Sequence, residues 1–284
     1  MADSVPNEVI GVTEPNHENT SLLMSGEATT IDEVIAQMEA LVALCIKSND
    51  RIGYFAALYH KVTVRVKEGI VNNEFEDGAR MEKLDVIFAN RFLTAIRQSK
   101  MNVVPTAPWD VTFGAAKKRS VLVLQHLLLG MNAHINLDLG IAAAQVTAGT
   151  ELKAIRNDFI SINAILGSLT FELLKEINRV SPLLSLFGLH ATNNALLIQF
   201  SITNARDGSW AFAEDLSAKK ADEINDCINN RADTIKKLGL ALLSSKGLIK
   251  ITMWIIHLFE WKKPRKIIQV LYDSKKNFIH VDSI

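Results

Sequence analysis

The chain is short of the residues that announce most chemistries. It has two cysteines in 284 residues, Cys45 and Cys227, far apart and without C-x-x-C spacing, so no disulfide framework and no cysteine-based zinc or redox site can be read from it. A reducing cytoplasm is the compartment this cysteine usage suggests. It also lacks an excess of charge of either sign. Lysine plus arginine and aspartate plus glutamate number 31 each, which removes the broad positive field that nucleic-acid binding relies on. DNA and RNA are set aside as partners. The phosphate loop, the G-x-G-x-x-G turn and the G-x-S-x-G elbow are all absent, and no strand-loop-helix alternation exists to carry them. The opening MADSVPNEVIGVTEPNHENT is acidic where a secretory signal needs basic and then apolar residues, so export by that route is not expected. The apolar segment LGLALLSSKGLIKITMWIIHLFEW is interrupted by Lys246 and Lys250, and its uninterrupted stretch is far short of the ~20 residues of a membrane span, so no transmembrane segment is expected.

What is present is apolar periodicity. Hydrophobic residues make up 48% of the chain, enough for one large core or two modest ones. After a polar stretch of roughly 28 residues, read as a flexible tail, the signals turn helical. Thr30 with Glu33 reads as a capping box, and helix one runs to about Ile46. Helical spacing recurs in IGYFAALYHKVTVRV, ARMEKLDVIFANRFLTAI and ELKAIRNDFISINAILGSLTFELLKEI. It recurs again in NNALLIQFSITNARDGSWAFAEDL, KKADEINDCINNRADTIKKLGLALL and GLIKITMWIIHLFEW. The segment NVVPTAPWDVTFG, with two prolines, reads as a loop, and SPLLSLFG as a connector. The expectation is an all-α multi-helix bundle forming a single domain over residues 29–284, with a short hairpin around SKKN as the one exception at the end.

The sharpest puzzle is GMNAHINLDLG, residues 130–140, which follows the oily run VLVLQHLLL. Its alternation of Asn132, His134, Asn136 and Asp138 with apolar residues would suit a strand. The leucine- and alanine-rich flanks favour helix, and no nearby segment could pair with a strand. In a helix His134 and Asp138 share one face and Asn132 and Asn136 another. A histidine and a carboxylate so placed can chelate a cation, or the carboxylate can orient the imidazole. From spacing alone, an internal hydrogen bond tying helices together is the commoner outcome for such a pair. The asparagines could hold neighbouring helices. An EF-hand is excluded, since neither the turn glycine nor the bidentate glutamate is in place.

Other polar residues sit in equally apolar company. Asp85 lies between Leu84 and Val86 on what should be the inward face of its helix, with Glu82 nearby, and Asp158 and Asn163 are embedded in RNDFISINAIL. Arg206 and Trp210, four apart, suit a guanidinium packed on an indole. His126 is about 80° off the His134 face and reads as a core or helix-contact residue. His60 and His190 have no acidic partner at helical spacing, and His257 with Glu260 reads as a surface or interface pair. Three inward carboxylates on three helices, plus a histidine, resemble the way helical bundles build metal sites, although the usual Glu-x-x-His signature is missing.

Four separated motifs, LDVIFAN (84–90), GMNAHINLDL (130–139), DFISIN (158–163) and ARDGSW (205–210), resemble in order and spacing a bacterial family described as domain of unknown function 5995. The resemblance covers about residues 30–215; the helical extension 216–284 departs from it. The family pattern includes Asp85, His134, Asp138, Asp158, Arg206 and Trp210, and leaves the position of His126 apolar. The family is in turn similar to helical non-haem di-iron thioesterases. That similarity implies metal-dependent hydrolysis of an acyl thioester, with iron as the metal.

The leading expectation is therefore a helical enzyme holding one or two first-row transition metals, iron among them, through Asp85, His134, Asp138 and Asp158. Metal-bound water would hydrolyse a small-molecule acyl ester or thioester. Arg206 would hold an anionic part of the substrate, Trp210 would wall the pocket, and Asn132, Asn136 and Asn163 would line it or fix its helices. The competing expectation is a non-catalytic binding or scaffold protein whose buried Asp, His and Asn side chains form a hydrogen-bond network. Residues 237–266, ending in the basic KKPRK, could also lie against anionic lipid, although a buried core helix with a solvated basic end is the commoner arrangement.

Overall fold

A computed structural model describes residues 15–184, 202–244 and 247–273. Among them there are only helices and their connections. They are α1 (Pro15–Met24), α2 (Ile31–Ser48), α3 (Ile52–Val71), α4 (Gly78–Lys100), α5 (Ala107–Ala116), α6 (Val123–Ala133), a π-helical turn (His134–Asp138) and α7 (Leu139–Val146). After a 3-10 turn (Leu152–Ile155) come α8 (Arg156–Val180), a second 3-10 turn (Pro182–Leu184), α9 (Ile202–Ser217), α10 (Ile224–Leu243), α11 (Gly247–Phe259) and α12 (Pro264–Asp273).

The helix boundaries follow from local chemistry. Thr30 has an extended backbone and its hydroxyl accepts from the Glu33 amide at 3.2 Å. The Glu33 carboxylate reaches back one residue further than a capping box requires, to the amide and hydroxyl of Thr29. Helix α2 ends at Asn49, which adopts φ 55°, a left-handed position that asparagine tolerates better than most residues. Asp77 caps α4 by accepting from the Arg80 amide. The prolines of NVVPTAPWDVTFG do not make the whole segment a loop. Pro108 falls in the first turn of α5, where its missing N–H leaves no bond unmade, and the segment is helical from Ala107.

Two further expectations are corrected. The first 28 residues are not all tail, since α1 packs on α2 and Leu23 is fully buried. Asn90 holds both the amide and the carbonyl of Ala28, and Arg97 donates to the carbonyl of Gly26, so this entry segment is fastened to α4. The first strand of the C-terminal hairpin is instead α12, opened by Pro264 and burying Ile267, Ile268 and Leu271 at helical spacing. The SKKN turn lies outside the described residues.

The axis of the fold is the run Val123–Val146, made of α6, the π turn and α7. It is long and apolar enough to cross a membrane, yet its apolar window is 89% buried inside the protein. It is the core helix. Around it pack α3, α4, α5, α9 and α10, with α2 and α12 outside α3. Gly130 allows α3 to approach closely: a Cβ there would lie 2.4 Å from Cγ of Phe55. One apolar cluster runs continuously from Leu23 to Leu271. A satellite cluster of Leu137, Ile141, Phe212, Leu216 and Ala232 joins α7, α9 and α10.

Candidate functional site

The π turn decides which way the polar groups of GMNAHINLDLG point. The Leu139 amide bonds to the His134 carbonyl, five residues back, so the turn is wider than an α turn and residues four apart come close to register. His134 Nδ1 lies 3.2 Å from Asp138 Oδ2, both side chains being almost completely buried. Single-residue π insertions of this kind recur where a helix must aim side chains. On the far side of the turn Asn136 donates to Asn132, and Asn132 donates to the Ile235 carbonyl. Arg231 donates to the carbonyl of Asn136, so the two asparagines fasten α10 to the core helix rather than line a pocket.

Asp138, buried in the interior, accepts from three N–H donors. Arg91 Nε donates to Oδ1 at 2.9 Å, and Trp109 Nε1 donates to Oδ2 at 2.8 Å beside the His134 contact. Burial would by itself push this carboxyl up, but the Arg91 charge and the His134 and Trp109 donors together hold it below its ordinary value. It is therefore an anion at neutral pH. Donating to an ionised Asp138 makes Nδ1 the protonated nitrogen of His134 and leaves a lone pair on Nε2. Burial lowers the imidazole's pKa, with Asp138 opposing, so the ring is neutral. It is clamped between aromatic rings: Phe88 stacks on it at 3.6 Å and Tyr59 meets it edge-on at 4.3 Å.

Nε2 of His134 is buried and has no hydrogen-bond partner. The imidazole lines a pocket of α3, α4, α6 and α8 residues, walled mainly by apolar side chains such as Phe55, Val66, Leu84 and Met131. Polar groups in this wall are few. Asp85 is one, with Oδ2 buried and unpartnered. Burial, reinforced by the Glu82 charge, pushes its carboxyl up to about 7. Tyr59 is another, its hydroxyl held firmly protonated by burial. The hydroxyl lacks a hydrogen bond of good geometry, the Thr63 side chain only easing its ionisation a little. Arg206 is the third, donating to the Phe159 carbonyl while its Nε stays unpartnered. Burial brings the guanidinium down to about 10, which still leaves it charged at pH 7.

Of the expected metal ligands, His134 and Asp85 share this pocket and Asp138 backs His134. Asp158 does not join them. Its carboxylate accepts from the amides of Glu76 and Asp77 and from Arg80 Nη2, clamping the loop before α4 to the first turn of α8. Among the described residues no three His, Cys, Asp or Glu side chains converge as a metal site would require. Three N–H donors already converge on Asp138, one on Oδ1 and two on Oδ2, and the unpartnered atoms beside it, His134 Nε2 and Asp85 Oδ2, are fewer than a structural or catalytic metal needs. The donor set does not fit the expected metal centre.

The Arg206–Trp210 pairing is also corrected. Arg206 lies 4.3 Å over the Phe159 ring, and the guanidinium over Trp210 is that of Arg156, at 4.4 Å. Trp210 donates to Glu214 and does not line the pocket. Asn163 is on α8, its side chain outside the described residues. His126 meets Tyr54 edge-on and stands apart from the site, its pKa driven down to about 3 by burial. Glu260 is not a surface residue: it is buried and accepts from the Val123 amide and the Ser181 hydroxyl. Residues missed at the sequence level are Tyr59, Phe88, Arg91 and Trp109. Only Arg91, a cation between Asn90 and Phe92 in an otherwise apolar run, carried a signal.

Asp85 gives a stability test that needs no substrate. The folded chain keeps its carboxyl protonated up to about pH 7, whereas the unfolded carboxyl ionises near 3.8. The folded state thus holds the extra proton between those limits, and this group's contribution to stability falls as pH rises through the window. Asp85→Asn removes the term. Relative to the parent, the variant should gain on the order of 1 kcal/mol per pH unit between about pH 4 and 7, read from urea melts. A pH-independent difference would show that Asp85 titrates normally. Glu260, also raised to about 7, shares the sign in both proteins and cancels in the comparison.

Comparison with curated proteins and with solved structures gave no match. The model of one family, described as a family of unknown function (DUF5995), matches residues 31–245. The match runs past residue 215 into α10, the helix that Asn132 and Arg231 tie to the core. The chain belongs to this family of unknown function, DUF5995.

Proposed function

We propose that the chain is a hydrolase of a hydrophobic acyl ester or thioester, working by acid–base catalysis at His134 and Asp85. The observation that carries this reading is the unpartnered Nε2 of a buried imidazole. Its tautomer is fixed by Asp138, and the ring lines an apolar pocket shared with the Asp85 carboxyl, whose pKa is raised to about 7. A neutral base and a protonated acid in one water-poor cavity is the pairing that hydrolysis at pH 7 requires. The acyl chain lies along the apolar wall. Water attacks the carbonyl carbon as Nε2 takes its proton, and the carbonyl oxygen gathers charge near the Tyr59 hydroxyl. As the C–O or C–S bond breaks, Asp85 protonates the leaving alcohol or thiol, and the proton on His134 then returns to Asp85. The products are the carboxylic acid and the alcohol or thiol. Arg206 gives an anionic substituent elsewhere on the substrate a place to sit.

The test is a panel of p-nitrophenyl esters and acyl thioesters of increasing chain length, assayed with and without chelator. Activity that favours long acyl groups and survives chelation is expected. Activity abolished by chelator would restore the metal expectation. No turnover of any member, together with unchanged melting temperature in the presence of fatty acids, would favour a scaffold, for which the saturated hydrogen bonding of Asp138 is the supporting observation.

A further inference from the structure

Helix α11 lies at the surface and, Lys250 apart, turns large apolar side chains outward as well as inward. Met253 and Ile256 face inward, followed by buried Glu260. On the opposite side, at spacings of three and four, stand Ile251 (56% exposed), Trp254 (61%), the half-buried Ile255 and Leu258 (53%). Phe259 (60% exposed) and Trp261 extend the patch. A surface helix in water normally turns a charged face outward, and one that is hydrophobic all round is normally buried. This one is neither. At 13 residues it is too short to span a bilayer.

Its flanks carry charge of one sign. Exposed Lys250 sits beside the stripe, and exposed Lys262, Lys263, Arg265 and Lys266 follow it. The only acidic residue from Ser244 to Tyr272 is Glu260, which is buried. In a chain whose net charge is zero this is a local excess, set directly against exposed indole and phenyl rings. Lysine and arginine beside exposed tryptophan and leucine are the combination that meets phosphate headgroups and the upper acyl region together.

We infer that the outer face of α11, with the Lys262–Lys266 segment, docks the protein on an anionic lipid surface, α11 lying in the interfacial plane. The occupant is the bilayer rather than a protein groove because the patch is rimmed by the cations Lys250, Lys262, Lys263, Arg265 and Lys266, with no exposed carboxylate from Ser244 to Tyr272 to pair with a mixed polar surface. This inference stands on α11 and its flank alone and does not depend on the chemistry in the pocket.

The experiment is co-sedimentation of the full chain with vesicles of phosphatidylcholine, with and without phosphatidylglycerol, at low and high salt. Retention by the anionic vesicles only, weakened at high salt, is expected, together with a blue shift of tryptophan emission from Trp254 and Trp261. Trp254→Glu with Leu258→Glu should abolish retention while leaving the melting temperature unchanged, because both side chains are exposed. Lys263→Gln, Arg265→Gln and Lys266→Gln together should weaken partition on the order of a hundredfold. No retention of the parent chain, or retention that the double glutamate variant keeps, overturns the inference. So does a concentration-dependent dimer that the double variant dissolves, which would make the face a contact between two copies of this chain.

Discussion

Asp138→Ala is expected to melt on the order of 10 °C below the parent chain, the largest loss of stability from any single polar substitution here. The reasoning is a count of orphaned donors. Three N–H groups, from Arg91, Trp109 and His134, converge on this one buried carboxylate. Removing the acceptor leaves a guanidinium charge, an indole N–H and an imidazole N–H without partners. Breaking a buried ion pair from one side typically costs about 3–5 kcal/mol, and each kcal/mol shifts the melt of a chain this size by roughly 2–4 °C. A polar cavity lined by Arg91, Thr94, Gln98, Thr106 and Gln145 lies against the same carboxylate. Water there can solvate Arg91, which places the loss toward the lower end of that range. Asp138→Asn, of equal volume, keeps an oxygen for Trp109 or His134 but turns an N–H toward a donor, so about half the loss is expected. Thermal denaturation by circular dichroism decides it. A melt within about 2 °C of the parent would mean that the network is solvated rather than structural.

The inwardness of this network was legible; its wiring was not. Asp85 could be placed on an inner face because Leu84, Val86 and Phe88 fix the phase of α4. His134 and Asp138 could be paired because four residues apart is a helical neighbour relation. Such statements need only the chain's own periodicity. The partners that decide what each carboxylate does come from elsewhere in the fold. Asp138 meets Arg91 and Trp109 from α4 and α5, and nothing in HINLD foretells either. Asp158 looked equivalent to Asp85 by local pattern, yet its oxygens are spent on amides 81 and 82 residues away in sequence, which turns a candidate ligand into a clamp. Arg206 and Trp210 are neighbours on α9, but their partners come from α8: Arg206 lies over the Phe159 ring, and Trp210 takes the Arg156 guanidinium on its face and meets Phe159 edge-on.

The errors of secondary structure have the same origin. In IIQVLYD, β-branched residues suggested a strand, but Ile267, Ile268 and Leu271 have a surface of α2 and α3 to cover, and burial outweighs the small difference in propensity. The N-terminal stretch carried little helical signal of its own. Its α1 is held by docking Leu23 and by the bonds of Asn90 and Arg97 to the residues that follow. Tertiary contacts supply what a short helix cannot supply alone.

The largest expected effect on activity follows from the division of labour between base and acid. For whichever ester the panel shows to be turned over, His134→Gln should lower kcat/KM by roughly 10²–10⁴ with KM changed only a few-fold, since in the proposed mechanism the imidazole removes a proton and does not grip the acyl chain. Loss of a residue that merely supports the pocket would instead raise KM and lower the melting temperature together. The pH profile separates these further. In the parent, kcat/KM should rise through the His134 pKa, which burial sets below its ordinary value, and fall as Asp85 loses its proton near pH 7. The active form needs the imidazole bare and the carboxyl protonated, so the maximum lies between the two. Asp85→Asn leaves the acid limb where it was and removes the alkaline limb, at a lower plateau because an amide cannot give up a proton to the leaving group. Tyr59→Phe should reduce the rate at every pH without moving either limb, because the phenol stays protonated throughout. An alkaline limb that persists in Asp85→Asn would assign the second titration to another group and remove Asp85 from the reaction.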